Sequence, residues 1–321
     1  MLRIFTEFAD YVVYEIFTLE AGTDLAAAVH FFIEDITKIF FLLATMTMVV
    51  SFFRSKLNAE KIRAYLEGKP KWLTYILAVI LGAVTPFCSC SSIPLFIGFV
   101  EAGIPFGVNM AFLITSPMIN EIAIVVLASV VGWQLAAIYV ITGMTIGLIG
   151  GFLMEKLGFE KYVEGYVYNT CSCKMTRSQN HISGFKDRLS YAWSYTTNII
   201  GKIWPYIILG IGIGAVLHGF VPIEFFTKYA AANNFLAVPI AVILGIPLYS
   251  NASGVIPIAE ALLDKGVPIG TVLAMMMSIV AISLPEMIIL RKVLKSRLLA
   301  YFSLFLLIAF TTVGYLYNLI F

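Results

Sequence analysis

Apolar residues run along the chain in long stretches, at 24–53, 72–101, 104–131, 133–154, 191–218, 235–263, 266–290 and 297–320. Most are long enough to cross a hydrocarbon core of ~30 Å as an α-helix. They are too continuous for a membrane β-barrel, whose strands read as short alternating segments. Ahead of them, residues 1–23 mix aromatic and aliphatic positions with Glu7, Asp10, Glu15 and Glu20. That pattern predicts an amphipathic segment lying at the membrane surface, neither a full span nor a cleaved leader. Two stretches are interrupted: 72–101 by Thr85-Pro86-Phe87-Cys88-Ser89-Cys90-Ser91-Ser92, and 235–263 by Pro247-Leu248-Tyr249-Ser250-Asn251-Ala252-Ser253-Gly254. Both runs predict a break in the helix.

Composition agrees with the pattern. Of 321 residues, 60% are hydrophobic and 12% charged, and the mean hydropathy is +0.93. These values exclude a soluble domain and a disordered chain. The formal charge of +2 is too small for a nucleic-acid binder. Basic residues concentrate in three clusters: Arg54, Lys56, Lys61, Arg63, Lys69 and Lys71; Lys156, Lys161, Lys174, Arg177, Lys186 and Arg188; and Arg291, Lys292, Lys295 and Arg297. The positive-inside rule assigns all three to the cytoplasm. A full crossing by 72–101 would put the first two clusters on opposite sides, so this stretch enters from the cytoplasm and turns back. The same reasoning makes 235–263 a hairpin entered from the outer face. The expected fold is therefore an all-α integral membrane protein with six full transmembrane spans plus two re-entrant hairpins, eight hydrophobic segments in all.

Three crossings in the first half oblige the second half to start on the opposite side, which predicts two inverted-topology repeats. The residues support a repeat independently. LAVILGAVTPFCSCSSIPLFIGFVEAGIPFG at 77–107 aligns without a gap on IAVILGIPLYSNASGVIPIAEALLDKGVPIG at 240–270. Gly82 and Gly245, Pro94 and Pro257, Gly103 and Gly266, Pro105 and Pro268, and Gly107 and Gly270 all stand 163 positions apart. Lys38 and Lys202 correspond with a shift of one. The predicted organisation is a segment 1–23, a first membrane repeat 24–155, a cytoplasmic connector 156–190 and a second membrane repeat 191–321. Paired interrupted segments at matching positions of two inverted halves point to a secondary transporter with a site near the bilayer midplane.

Irregular backbone at membrane depth is tolerated only where protein or a water-lined cavity surrounds it, so the two hairpin tips are expected to face one another. The first tip carries Cys88, Cys90 and Ser91, the second Ser250, Asn251 and Ser253. Residues i and i+2 face the same way in an extended stretch, whereas on a helix they diverge by about 200°. Two convergent sulfurs favour a soft solute such as trivalent arsenic, Cu(I) or Hg(II). Close packing of small residues is the structural alternative. Within 104–131, Thr115-Ser116-Pro117-Met118-Ile119-Asn120-Glu121 breaks the helix again. Thr115, Ser116 and Asn120 join the candidate solute site, and Glu121 is the first candidate for carrying a coupling proton, because a carboxylate at that depth has to be protonated, paired or wetted. A buried acid held by Asn120 and freed backbone groups is the alternative.

Glu34 and Lys38 share one helical face and read as an ion pair. Lys202 has no acid within reach on its own span, so it pairs across the bundle or meets an anionic solute. Glu286, beside the basic cluster from Arg291, is expected at the interface. Cys171 and Cys173 in the connector, next to Lys174, offer a cytoplasmic capture site for a soft solute or are simply reduced surface thiols. Neither cysteine pair has zinc-site spacing. No metal or other cofactor is implied, no P-loop occurs, and the chain reads as a multi-pass plasma-membrane transporter rather than an enzyme. A thiol oxidoreductase fits poorly, since neither pair reaches the outer compartment. A permease for a simple anion held by helix ends with Lys38 and Lys202 remains open.

The run TPFCSCSSIPLFIGFVEAGIPFGVNMAFLITSPMINE at 85–121, with GKIWPYIILGIGIGAVLHGFVP at 201–222, resembles the predicted-permease family that includes ArsP, the organoarsenical efflux permeases. The likeness covers nearly the whole chain, and Thr85, Pro86, Cys88, Cys90, Ser91 and Ser92 match its distinctive element. The resemblance implies export of a trivalent organoarsenical or a related thiophilic compound.

Overall fold

The computed structural model describes residues 3–20, 22–54, 70–85, 89–101, 103–119, 124, 128, 132–165, 185–220, 236–247, 259, 262–263, 265–291 and 293–320. Among them the chain is helical, apart from turns and one isolated bridge pairing of Val163 with Leu294. The N-terminal segment forms α1 (Arg3–Asp10) and a π-helical turn (Tyr11–Ile16). Two long helices follow the hydrophobic pattern, α2 (Asp24–Arg54) and, later in the chain, α7 (Phe185–Phe220). The first interrupted stretch resolves into α3 (Lys71–Val84) and α4 (Ser89–Glu101), and the next two into α5 (Phe106–Met118) and α6 (Trp133–Lys156). The second half contributes α8 (Ala237–Gly245), α9 (Ile269–Ala281), α10 (Leu284–Leu290) and α11 (Ser296–Ile320).

Three helical stretches, Trp133–Lys156, Ile269–Ile288 and Ser296–Ile320, are long and apolar enough to cross a membrane. Their outward faces carry bare apolar side chains such as Ile141, Phe152, Leu304 and Ile308, a surface that water does not tolerate and lipid does. All four tryptophans, Trp72, Trp133, Trp193 and Trp204, are exposed, as residues that anchor a helix at a membrane interface are. α3 and α5, at 14 and 13 residues, reach only ~20 Å each, short of the ~30 Å core.

The chain divides into two compact units whose boundaries fall inside α2, α7, α10 and α11: Leu43–Ile203 with Leu290–Phe302, and Met1–Leu42 with Trp204–Ile289 and Ser303–Phe321. In the first unit every residue of α5 is buried, which is what an all-round apolar helix requires. α3, α4 and α6 surround it. At one end, the base, the Tyr75 hydroxyl on α3 donates to Glu155 Oε2 on α6, and Lys71 Nζ lies 3.5 Å from Glu155 Oε1. Both Tyr75 and Glu155 also stand against Gly107 at the start of α5. At the other end, the tip, Gly82 of α3 lies against Thr115 and Ser116. α4 runs back the opposite way: Ser92 meets Ser116 at the tip, Phe99 packs edge-on against Phe112 at 5.4 Å between ring centroids, and the Ile104 carbonyl accepts from Asn109 Nδ2 near the base. The stretch from Lys71 to Glu101 thus leaves the base and returns to it.

α4 ends in a Schellman motif, with the Ile104 N–H bonded to the Phe99 carbonyl and the Gly103 N–H to that of Val100. Gly103 takes φ +75°, a left-handed conformation that suits glycine. Pro105 then opens α5 with its fixed φ.

The second unit carries the same construction. Gly266, at φ +79°, sits in an equivalent pair of bonds, from Val267 to Leu262 and from Gly266 to Leu263, followed by Pro268. α9 is buried along almost all its length. Gly245 of α8 lies against Ser278 and Met275, as Gly82 lies against Thr115 and Phe112, and Gly314 of α11 lies against Gly270 and Ala274, as Gly151 lies against Gly107 and Ala111. Every one of these matched residues is displaced by 163 positions, the spacing read from the sequence.

Candidate functional site

The tip of the first unit gathers the ends of three broken helices. α3 stops at Val84 because Thr85 turns extended (φ −85°, ψ 125°) ahead of Pro86, and its hydroxyl folds back onto the Leu81 carbonyl. The chain is helical again from Ser89. Cys90 and Ser91 therefore occupy the first turn of a regular helix, so the extended geometry expected to align the two thiols does not reach Cys90. Cys88 lies outside the described residues.

α5 ends opposite this turn. Pro117 lies in its last turn, and Ile119 is extended (φ −107°, ψ 94°). Ending a helix inside a protein leaves its last carbonyls without intrahelical partners. Here the hydroxyl of Tyr139 on α6 donates to the Met118 carbonyl at 3.0 Å. Tyr139→Phe removes that donor from a buried carbonyl and should cost about 1–3 kcal/mol, read as a lower thermal unfolding midpoint in detergent; an unchanged midpoint would show that the cap is dispensable.

Thr115 and Ser116 are both fully buried, and each hydroxyl has a structural partner. Thr115 bonds the Ala111 carbonyl one turn back at 2.8 Å. Ser116 Oγ lies 2.8 Å from Ser92 Oγ on α4. The Ser92–Ser116 pair is the link that holds the Cys-x-Cys-Ser-Ser turn against the broken end of α5. Of the remaining expected site residues, Asn120, Glu121, Ser250, Asn251, Ser253, Cys171 and Cys173 lie outside the described residues, and for Lys202 only the backbone within α7 is described.

Other expectations meet side chains that can be seen. Lys38 Nζ stands 3.1 Å from Glu34 and also 3.4 Å from Asp35, so the expected ion pair is a triad. Glu286, expected at an interface, is 2% exposed. It is buried within the second unit, in the first turn of α10, which follows the bend at Ile282 (φ −129°, ψ 18°).

Sequence reading passed over Ser92 as a contact, Tyr139, and the row Gly143, Gly147, Gly151 on α6. The last had a signal, two successive Gly-x-x-x-Gly steps in an apolar span, the pattern that lets helix backbones touch. Gly143 packs on Ile119, Gly147 on Thr115 and Gly151 on Gly107. Tyr139 had none, since nothing local in the sequence tells a capping tyrosine from an interfacial one. Among the described residues no group of His, Cys, Asp and Glu has the arrangement of a metal site.

The profile of a family described as predicted permease matches residues 24–319. The chain is 24% identical over 83% of its length to the UPF0718 protein MJ0584 of Methanocaldococcus jannaschii, covering 88% of that protein. It is 24% identical over 72% of its length to the UPF0718 protein YraQ of Escherichia coli, and 22% identical over 61% of its length to a putative two-component membrane permease complex subunit of Streptococcus mutans; it covers 64% of each. No solved structure matches.

Proposed function

The chain belongs to the predicted permease family, and on that premise we propose that it exports a small thiophilic solute, with trivalent arsenicals as the leading class, by ion-coupled alternating access. Membrane helices and permease relatives stand behind the transporter class. The observation that carries the finer reading is the return of α3 and α4 to a common base, with the Ser92–Ser116 pair tying the thiol-bearing turn to the broken end of α5. That arrangement is what a re-entrant hairpin requires, and its ~20 Å legs would leave the tip part-way through the bilayer.

In this reading the recurrence at 163 positions reflects two inverted repeats, with six full spans and two hairpins in a plasma-membrane protein whose connector 156–190 is cytoplasmic. Cys88, Cys90, Ser91, Ser250, Asn251, Ser253 and Asn120 serve as solute-binding residues, and Glu121 carries the coupling proton. Thr115 and Ser116 set the floor of the site through their backbone and packing, since their hydroxyls are already engaged. Cys171 and Cys173 capture the solute on the cytoplasmic side. The rival reading, a permease for a simple anion held by Lys38 and Lys202, is weakened by one contact set: Lys38 is already bound to two carboxylates and has little charge left for a third.

Uptake into everted membrane vesicles tests the proposal. Trivalent methylarsenite should accumulate, arsenite and Cu(I) more weakly, and phosphate not at all; Glu121→Gln should remove the dependence on an imposed proton gradient. Accumulation of phosphate alone would overturn the thiophilic reading, and an unaltered gradient dependence would remove Glu121 from coupling.

A further inference from the structure

We propose that Asp10, His30, Glu34, Lys38 and Asp35 form a proton relay leading from a solvent-exposed carboxylate to a buried one, with Asp35 as the group that holds the proton. The five side chains belong to α1 and to the part of α2 before Leu43, and all lie within one compact unit. They stand in an unbroken order. Asp10 Oδ1 is 2.9 Å from His30 Nε2, His30 Nδ1 is 3.7 Å from Glu34 Oε2, Glu34 Oε1 is 3.1 Å from Lys38 Nζ, and Lys38 Nζ is 3.4 Å from Asp35 Oδ1. Exposure of the side chains falls from 52% at Asp10, through 19% and 22% at His30 and Glu34, to 12% at Lys38 and 6% at Asp35. The row therefore starts at its most exposed member and ends at its most buried, with His30 and Glu34 nearly equal between them.

Charge balance says why the inner end needs a proton. Lys38 brings one positive charge to two carboxylates, and an uncompensated charge within a membrane helix is costly. A proton on Asp35 makes the Glu34–Lys38–Asp35 group neutral. Among the described residues the other titratable cation within reach is His30, which faces Asp10 as well as Glu34. Every described ion pair and hydrogen bond reaching these side chains comes from α1 and α2, the Thr6 hydroxyl donating to Glu34 Oε1 at 3.1 Å. From the π-helical turn, Tyr14 stacks on His30 at 6.1 Å.

His30 is the element that makes this a path rather than a static cluster. Its two ring nitrogens address different carboxylates, so it can take a proton on one and release one from the other. Water protonates Asp10; Asp10 passes that proton to His30 Nε2 while His30 gives its Nδ1 proton to Glu34. The 3.7 Å gap closes by a small side-chain rotation or through one water. Glu34 then returns a proton to Lys38 as the ammonium hands one to Asp35. One proton has moved from water to Asp35, and exchange with water, in which a proton leaves Nε2 as another joins Nδ1, restores the starting tautomer of His30. Chains of Asp, Glu and His at membrane depth serve this purpose in pumps and transporters. The inference rests on the permease reading only for its purpose, since proton entry at this end of α2 would oppose solute leaving the cell.

An infrared pH titration of the purified protein in lipid nanodiscs, without any solute, tests the relay. The wild type should show the carbonyl band of a desolvated carboxylic acid that shifts with ¹³C-labelled aspartate and vanishes as pH rises. Asp35→Asn should lack it. His30→Gln should keep the band but slow its decay after a pH jump at least tenfold. A wild type with no label-sensitive titrating band, a band that survives in Asp35→Asn, or wild-type kinetics in His30→Gln would each overturn the proposal. The labelled wild type decides even if Asp35→Asn does not fold. A negative result leaves solute transport in vesicles untouched, and failure to transport any of the solutes leaves the titration untouched.

Discussion

Gly151→Leu should leave no folded protein to purify. A Cβ at this position would stand 2.7 Å from the Ala111 Cβ and 2.9 Å from the Ala111 nitrogen, and closer still to the Gly107 carbonyl oxygen. Two of the three obstacles are backbone atoms, which have no rotamer to yield. Relief requires α5 and α6 to separate, and the row from Gly143 to Gly151 keeps them close along two helical turns. Inserting extra methylenes into a packed core typically costs about 1–3 kcal/mol; contact with backbone across a whole helix interface should exceed that range. Against a total stability of about 5–15 kcal/mol, most of the margin is gone. Gly314→Leu should fail in the same way, because a Cβ there meets Ala274 at 2.9 Å and Val238 at 2.5 Å. Gly201→Leu provides the control: on α7 it faces open space and should change stability by less than about 0.5 kcal/mol. The measurement is the yield and unfolding midpoint of monodisperse protein in detergent. A Gly151→Leu protein that unfolds where the wild type does would disprove the close packing of α5 and α6.

The largest functional effect is expected from Cys88→Ser/Cys90→Ser. Serine keeps the size and a hydrogen-bonding oxygen, so the fold should survive. What it removes is the soft donor that a trivalent arsenical prefers to a hydroxyl. Losing at least about 1.4 kcal/mol of solute binding would reduce affinity tenfold or more. Uptake of methylarsenite into everted vesicles should fall accordingly while the unfolding midpoint stays put. Because Cys90 lies in the first turn of α4, the single variants are informative as well. If the two sulfurs act together, each single variant should lose nearly as much as the double. Wild-type uptake by the double variant would take both thiols out of the solute site.

Much of the architecture could be read from residue order alone. The helix stops at Thr85-Pro86 and after Pro117 follow from local stereochemistry, since proline removes a donor and restricts the residue before it. The repeat was visible because Gly103 and Gly266 must both adopt positive φ and because Pro105 and Pro268 both open a helix, needs that glycine and proline meet best. The Glu34–Lys38 pair was readable from four-residue spacing. Its third member, Asp35, was not: sequence spacing says which side chains can reach Lys38, but not which of them are buried with it.

The candidate site was harder to read than the fold. Cys90 looked like part of an extended stretch because Pro86 and the small residues after it disfavour a helix. Helix α4 nonetheless starts at Ser89, and the Ser92–Ser116 pair fixes its first turn against α5. Thr115 and Ser116 looked free to meet a solute, yet each hydroxyl has a partner inside the protein. Glu286 looked interfacial from its basic neighbours, yet it is buried inside the protein.

Hydrophobic length and the placement of glycine and proline are properties of the chain itself, so the sequence alone determined a helical membrane protein, its helix breaks and its internal spacing of 163 residues. Which hydroxyl caps which broken helix end, which glycines lie in contact across α5 and α6, and how Asp10 comes to stand beside His30 depend on residues distant in sequence. Only the tertiary structure decided those, because a partner for a buried polar group is chosen by packing geometry and not by local preference.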